Sequence, residues 1–222
     1  AFQDGSFMSD NSMLSGSFVN HYGLFLPTLS GQASAEQQSQ WIPQTITFQM
    51  VGVYCQTELG HGSNVRGLNT RATYDKNTQE FILETPTLQS IKWWISGLGK
   101  VATHALVYAQ LILDGKEYGV HIFLVQVRDA NHRPIPGIQI GDVGPKLGDH
   151  CNDTGFLRLD KVRIPRENML ARWQTVTPEG VYVKSERKTN PKIHYATMVY
   201  TRGNMIRTSA GHLARAVTIG IR

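Results

Sequence analysis

The strongest constraint on this chain is a series of eight short segments, all between residues 45 and 165, rich in β-branched and aromatic residues. They are Thr47–Tyr54, Thr70–Tyr74, Glu80–Leu83, Ser90–Trp94, Ala105–Leu113, Tyr118–Val127, Gly137–Val143 and Gly155–Val162. Residues of this kind suit a pleated, half-buried surface. Turn-forming sequences separate several of them: Asp75-Lys76-Asn77, Asp114-Gly115 and Asn131 to Pro134. Many strands with no long helix between them predict a barrel or sandwich, a single sheet system closed on one core.

Helical patterns flank this block. Over residues 11–42, Met13, Leu14, Phe18, Tyr22 and Phe25 recur at helical spacing. Pro27 is expected to end that helix. Ser34-Ala35-Glu36-Gln37 is a capping-box pattern. It predicts a second helix running to Trp41 and stopped by Pro43. Over residues 196–222, Val199, Ile206, Ala210, Leu213, Val217 and Ile221 form one apolar stripe, broken by Arg202, Arg207 and Arg215. Such a stripe needs a packing partner, expected in sequence beyond Arg222. Thr175–Pro191 is polar and carries Pro178, Gly180 and Pro191, the composition of a linker. The expected organisation is therefore 1–45 helical, 46–175 β, 176–195 linker and 196–222 helical. The absence of a charged leader at Ala1 and a helix still running at Arg222 predict a piece of a longer protein.

Composition narrows the function. Of 222 residues, 41% are hydrophobic and 18% charged, a globular balance. No apolar run approaches the roughly 20 residues a membrane-spanning helix needs. Cys55 and Cys151 are too few for a disulfide scaffold and suit a reducing compartment. The net charge of +5 is unevenly spread: residues 1–50 carry −3, residues 51–160 carry −1 and residues 161–222 carry +9. A basic final third predicts a partner bearing phosphates or carboxylates, or a solvated or docking face. No nucleic-acid-binding motif accompanies it.

Several tempting motifs fail. Gly60-His61-Gly62-Ser63-Asn64 is followed by Val65, so it lacks the second glycine of a nucleophile elbow. Gly99-Lys100 is followed by Val101, and Trp94 stands where a phosphate loop needs its first glycine. No His pair has zinc-site spacing with Cys. Two segments remain. In Tyr54-Cys55-Gln56-Thr57-Glu58-Leu59-Gly60-His61-Gly62-Ser63-Asn64 a strand enters a glycine-bearing loop with hydroxyls at Thr57 and Ser63. Glycines allow close backbone approach and hydroxyls add donors, which suits ring carbonyls or a phosphate. In Ile91-Lys92-Trp93-Trp94-Ile95-Ser96-Gly97-Leu98-Gly99-Lys100, adjacent tryptophans on a strand point to opposite faces. One can join the core while the other stacks on a flat ligand. Either segment alone is also compatible with ordinary turns and half-buried core aromatics.

Together, in order and spacing, these segments resemble the middle domain of the acyl-CoA dehydrogenase and acyl-CoA oxidase flavoprotein family. Leu24-Phe25-Leu26-Pro27-Thr28 resembles the end of that family's N-terminal helical domain. Lys92-Trp93-Trp94 with Gly97-Leu98-Gly99-Lys100 resembles the oxidase branch, as does Gly137-Ile138-x-x-Gly141-Asp142-x-Gly144-Pro145-Lys146. Phe156 to Leu170 resembles the strand leaving the barrel. The resemblance implies an α+β fold: an antiparallel β-barrel middle domain between segments of two helical domains. It implies FAD as cofactor, fatty acyl-CoA as substrate, O₂ as electron acceptor, a homodimer and a peroxisomal location. Gln56, Thr57, Trp94, Ser96 and Gly97 are the implied cofactor-binding residues, and Ser63 and Arg202 the implied substrate-binding ones. No catalytic residue is expected here; the base, a Glu, is expected beyond residue 222, and Glu58 is expected to hold the flavin loop. Ile95-Ser96 departs from the oxidase pattern, which has Pro-Gly, and resembles the dehydrogenase form. A dehydrogenase and a non-catalytic ligand-binding barrel are the two alternatives.

Overall fold

The computed structural model describes residues 18–148, 150, 152–184 and 196–222. Met13, Leu14, Cys151 and residues 185–195 of the expected linker lie outside them. A π-helical turn, His21–Phe25, runs directly into α1, Leu26–Gln32. Pro27 therefore lies inside a continuous helical run rather than ending it. It sits in the first turn of α1, where the run passes from π-helical to α-helical turns. The capping box forms as expected. Ser34 N–H donates to Gln37 Oε1 at 2.9 Å, and Gln37 N–H to Ser34 Oγ at 3.3 Å. It opens α2, Ala35–Ile46, which runs through Pro43 instead of stopping there. Its last turn is retained by other bonds: Thr45 Oγ1–H to Trp41 O at 2.8 Å and Thr47 N–H to Pro43 O at 3.1 Å. Only then does the chain turn, with Phe48 at φ 59°. The first strand is thus shorter than Thr47–Tyr54.

The strands are β1 (Gly52–Cys55), β2 (Arg71–Asp75), β3 (Glu80–Glu84), β4 (Lys92–Ile95), β5 (His104–Leu113), β6 (Lys116–Gln126), β7 (Ile138–Asp142), β8 (Gly155–Leu159) and β9 (Val162–Pro165). β10 (Gln174–Val176) and β11 (Tyr182–Lys184) follow, and α3 spans Ala196–Ile221. The α+β class holds, with the sheets curled about one core. One sheet is built around β5. β6 pairs with it antiparallel along one edge. On the other edge β1 pairs with its first half, Gly52 opposite His104, and β2 with its second half, Arg71 opposite Gln110. Both of these pairings are parallel, so the sheet is mixed rather than wholly antiparallel. β3 and β9 extend it from β2. A second sheet has the order β4-β8-β7 and is antiparallel.

This topology creates the site. β1 and β2 lie end to end along one strand, so residues 56–70 must leave the sheet and come back to it. That excursion is the Thr57–Ser63 loop. From Ala105 to Leu113 β5 is apolar at every position but Gln110, because both of its faces are covered. Ala105, Val107, Ala109 and Leu111 face the barrel interior with Phe81, Phe123 and Leu157, whereas Leu106 and Tyr108 face Phe25, Leu29 and Trp41 from the helices. The helices approach closely at Gly52, where a Cβ would lie 2.2 Å from the Phe25 ring.

The polar stretch expected as a linker contains the β10–β11 hairpin, with Gln174 opposite Lys184. Its turn uses Gly180 at φ 81°. Val176 enters the core, and Tyr182 packs on Tyr118 at 4.8 Å while its hydroxyl meets His121 Nε2 at 2.9 Å.

One buried histidine stitches the helices and sheet together. His21 is fully buried: Gly52 N–H donates to its Nδ1 at 3.0 Å and its Nε2 meets Thr45 O at 3.2 Å. Burial pushes its imidazole below the ordinary range, and burial pushes His104 down to about 4. The unfolded chain therefore takes up these protons first. Their contribution is complete above about pH 6.5 and shrinks as pH falls below that value. Unfolding free energy should drop by on the order of 1–2 kcal/mol between pH 7 and pH 5. Urea midpoints across that range check this, and His104→Gln should flatten the dependence.

Candidate functional site

The loop leaving β1 is joined to β4 by a short backbone ladder. Trp93 N–H donates to Thr57 O at 3.0 Å, Leu59 N–H to Ile91 O at 2.9 Å and Gly60 N–H to Gln89 O at 2.9 Å. The two segments singled out from sequence are therefore neighbours on one rim. Alternation then sorts their side chains. Gln56 and Glu58 are buried, whereas Thr57 between them is half-buried.

On β4, Lys92 is fully buried. Trp93 is half-buried and stacked on Phe156, centroids 5.9 Å apart and planes at 23°. Trp94 is 58% exposed. The strand is irregular between Lys92 and Ile95, with Trp94 at φ 63°, and this local bulge turns the indole outward. Ser96 Oγ–H donates to Asn152 Oδ1 at 2.8 Å. Gly97 holds φ 81°, a conformation that glycine alone adopts without strain. Ser63 is exposed in the loop, whose Gly62 lies against Thr57: a Cβ there would be 3.7 Å from Thr57 Cγ2. Arg202 is on another element, exposed on α3, which packs against the π-helical turn and α1.

Below the rim is a buried polar cluster, and its Lys92 was missed by sequence reasoning. Lys92 Nζ donates to Tyr108 O at 2.7 Å, Glu58 Oε1 at 3.1 Å and Gln56 O at 3.2 Å. Glu58 also accepts from Thr70 Oγ1–H at 2.6 Å, Thr70 N–H at 2.9 Å and Asn69 N–H at 2.8 Å. Burial opposes ionisation of Glu58, but the Lys92 charge and these donors outweigh it and hold the carboxyl below its ordinary range. Burial pushes the Lys92 ammonium down to about 8 against the pull of Glu58, and the Cys55 thiol up to about 12.

Residues 97–102 are held by a second pair of side chains that the sequence did not flag. The buried Arg128 donates through Nη2 to Gly99 O at 2.7 Å, through both terminal nitrogens to Leu98 O at 3.2 Å, and to Ala102 O. Asp153 Oδ2 accepts from Lys100 N–H at 2.8 Å and Val101 N–H at 3.0 Å. The turn rests directly on β8 at Gly155, where a Cβ would lie 2.5 Å from Gly99 N. Beside it a cleft of about 480 Å³ is lined by Lys100, Asp142, Lys146, His150 and Asn152 among others. Only a shift from 2-residue to turn periodicity could have hinted at these anchors; their partners are 26 to 53 residues away in sequence.

The His61 ring supplies a further feature of the loop. Its Nε2 meets Gly67 O at 2.9 Å, and a carbonyl only accepts, so the proton is on Nε2. Nδ1 is buried with no partner among the described residues. Among the described residues no group of three or more His, Cys, Asp or Glu could hold a metal ion, and no helix is long and apolar enough to cross a membrane.

Comparison with known proteins adds independent findings. Residues 54–162 match the family model for the acyl-CoA dehydrogenase middle domain, and residues 6–51 that for the acyl-coenzyme A oxidase N-terminal segment. Peroxisomal acyl-coenzyme A oxidase 1 of Cavia porcellus is 48% identical over 215 residues, covering 95% of this chain and 32% of the relative. The Arabidopsis thaliana protein of the same name is 49% identical over 206 residues, covering 91% and 31%. Among solved structures, Arabidopsis thaliana acyl-CoA oxidase 1 superposes with a TM-score of 0.86 at 48% identity, covering 91% of this chain and 31% of that one. Acyl-CoA oxidase-2 of Caenorhabditis elegans, solved with FAD, ascaroside-CoA and ATP, gives 0.82 at 46% identity, covering 86% and 29%. The chain spans about a third of the length of the curated relatives it matches.

Proposed function

Because the chain belongs to the acyl-CoA dehydrogenase and oxidase family, we propose that it is the flavin-binding middle region of a peroxisomal acyl-CoA oxidase. The reaction is FAD-dependent oxidation of a fatty acyl-CoA to the trans-2-enoyl-CoA, with electrons passed to O₂ to give H₂O₂. This is the first step of fatty acid β-oxidation. The observation carrying this reading is the Trp93 N–H to Thr57 O bond at 3.0 Å, which puts the hydroxyl-bearing loop and the exposed Trp94 on one rim.

The residues fit the cofactor. The buried ring nitrogen His61 Nδ1, without a partner among the described residues, lies in the loop that would meet it, and a flavin nucleotide carries both hydrogen-bond donors and acceptors. Thr57 supplies a hydroxyl for the ring, Trp94 a flat apolar surface, and Gln56, Ser96 and Gly97 complete the binding set. FAD, when bound, supplies the two-electron acceptor. The chain's own part is to bind, orient and exclude water.

Ser63 is proposed to lie near the CoA thioester arm, and Arg202 to be a second substrate-binding residue. The strongly basic residues 161–222 are proposed to meet phosphates or a second subunit of a homodimer. The base is proposed to be a Glu outside these 222 residues, since the Glu58 carboxylate is already committed to Lys92, Thr70 and Asn69. By itself this chain should not turn over acyl-CoA.

The test uses the full-length protein. It should be yellow, and it should consume O₂ and release H₂O₂ with a fatty acyl-CoA. Thr57→Val should weaken FAD binding about tenfold, the worth of one hydrogen bond to a polar ring. Gly97→Val should weaken it further, since φ 81° strains a branched residue. Dye-linked activity without peroxide overturns the oxidase in favour of a dehydrogenase. A colourless protein favours the non-catalytic barrel.

A further inference from the structure

The Lys92–Glu58 pair is buried beneath the rim, and its two residues are sequence neighbours of groups that the rim presents. Lys92 precedes Trp93, and Gln56 and Glu58 flank Thr57. The backbone of Glu58 pairs with that of Lys92 in an antiparallel bridge, and their side chains are joined by the 3.1 Å ion pair, both fully buried. All three acceptors of Lys92 Nζ belong to different places: the end of β1 (Gln56 O), the loop (Glu58 Oε1) and β5 (Tyr108 O). The Glu58 donors come from the approach to β2, Asn69 and Thr70. The cluster therefore ties both ends of the 56–70 excursion to β4 and β5 at once.

We propose that Lys92 and Glu58 are positioning residues for flavin binding: their buried ion pair sets the spacing between Thr57 and the Trp93–Trp94 segment.

Several features favour this over a role in stability alone. Two charges buried together stabilise a fold little compared with apolar residues of the same size, because desolvation offsets their attraction. Their specific gain is geometric. Three fixed donors on one nitrogen and four fixed acceptor contacts on one carboxylate define a distance in a way that methylenes do not. The loop they fix is otherwise glycine-bearing and largely outside the sheet, with Gly60, Gly62 and Gly67 in its eight central residues. The ladder that joins it to β4 is only three bonds long. Burial brings the Lys92 ammonium down to about 8 while the facing Glu58 carboxylate pulls it up, so the charge on Lys92 depends on its partner in the pair.

This inference rests on the flavin reading above, and the experiment separates the two. It uses full-length protein with Glu58→Gln/Lys92→Met, which removes both charges together, and Glu58→Asp, which keeps the charge on a side chain one carbon shorter. Two quantities are read: amide hydrogen exchange at Thr57–Gly60 and Lys92–Trp94 in the FAD-free protein, and the Kd for FAD. The expected result is a folded double variant with exchange at these amides at least tenfold faster, unchanged exchange in β7 and β8, and an FAD Kd raised at least tenfold. Glu58→Asp should fall between it and the unmutated protein on both measures. If the double variant does not fold, Glu58→Asp decides by the same criteria. Folded variants with both quantities within twofold of the unmutated protein overturn the proposal. Faster exchange with an unchanged Kd overturns it too, since the pair would then be structural only. An unmutated protein that binds no FAD overturns the flavin reading itself, and this proposal with it.

Discussion

Lys92→Met alone should lower the unfolding free energy by about 3–5 kcal/mol, more than any apolar substitution of similar size on the same strand. The cause is the partner left behind. With the ammonium gone, Glu58 remains fully buried with only neutral donors, and the carbonyls of Gln56 and Tyr108 lose theirs. The methylene stem of Met fills nearly the volume of Lys, so packing contributes little to the loss. The adverse charge can also be relieved by adding Glu58→Gln, and the double variant should be closer to the unmutated protein than Lys92→Met is. Guanidinium unfolding of the three proteins measures this. A double variant less stable than Lys92→Met would contradict the burial argument. The prediction is independent of any ligand.

Arg128→Met should cost about 3–5 kcal/mol as well, and should release the loop that carries Gly97. One guanidinium here serves the carbonyls of Leu98, Gly99 and Ala102. Each charge-assisted bond of this kind contributes roughly 1.5–3 kcal/mol, and carbonyls left buried without a donor lose their solvation too. Asp153 keeps its bonds to Lys100 and Val101 N–H, so the loop should loosen at its carbonyl side first. Arg128→Lys should recover only part of the loss, because an ammonium cannot reproduce the planar fork. Thermal unfolding reports the stability, and flavin content of the purified protein reports the loop. A protein that loses stability while keeping its full flavin content would separate the Arg128 clamp from the Gly97 site.

These two anchors mark where legibility in the sequence ended. Strands came through clearly wherever a run was apolar and bounded by turns, as in Ala105–Leu113, because burial of both faces leaves a continuous apolar pattern. The capping box at Ser34 was equally clear, since its two bonds join residues three apart. The prolines misled. Pro27 and Pro43 were expected to stop helices, but one sits at the junction of the π-helical turn and α1 and the other is bridged by bonds from Thr45 and Thr47. The hairpin at Gln174–Lys184 was concealed by its polar face and its central Pro178 and Gly180. Its docking depends on Tyr118 and His121, more than 60 residues earlier.

The candidate site divides in the same way. Thr57, the paired tryptophans and the glycines of both segments were recognisable because their chemistry is written in short local strings. Lys92, Arg128 and Asp153 were not, because a charged residue in a sequence looks the same whether it is solvated or buried.

Local order along the chain was sufficient to dictate the α+β class, most strand positions and the two segments that face the proposed ligand, since periodicity and turn chemistry act over a few residues. Folding in three dimensions alone decided that β1 and β2 share one edge of β5, that the loop between them meets β4, and that Glu58 and Lys92 are enclosed as a pair. Those outcomes depend on desolvation and on contacts between distant residues, and neither is a property of any short stretch of sequence.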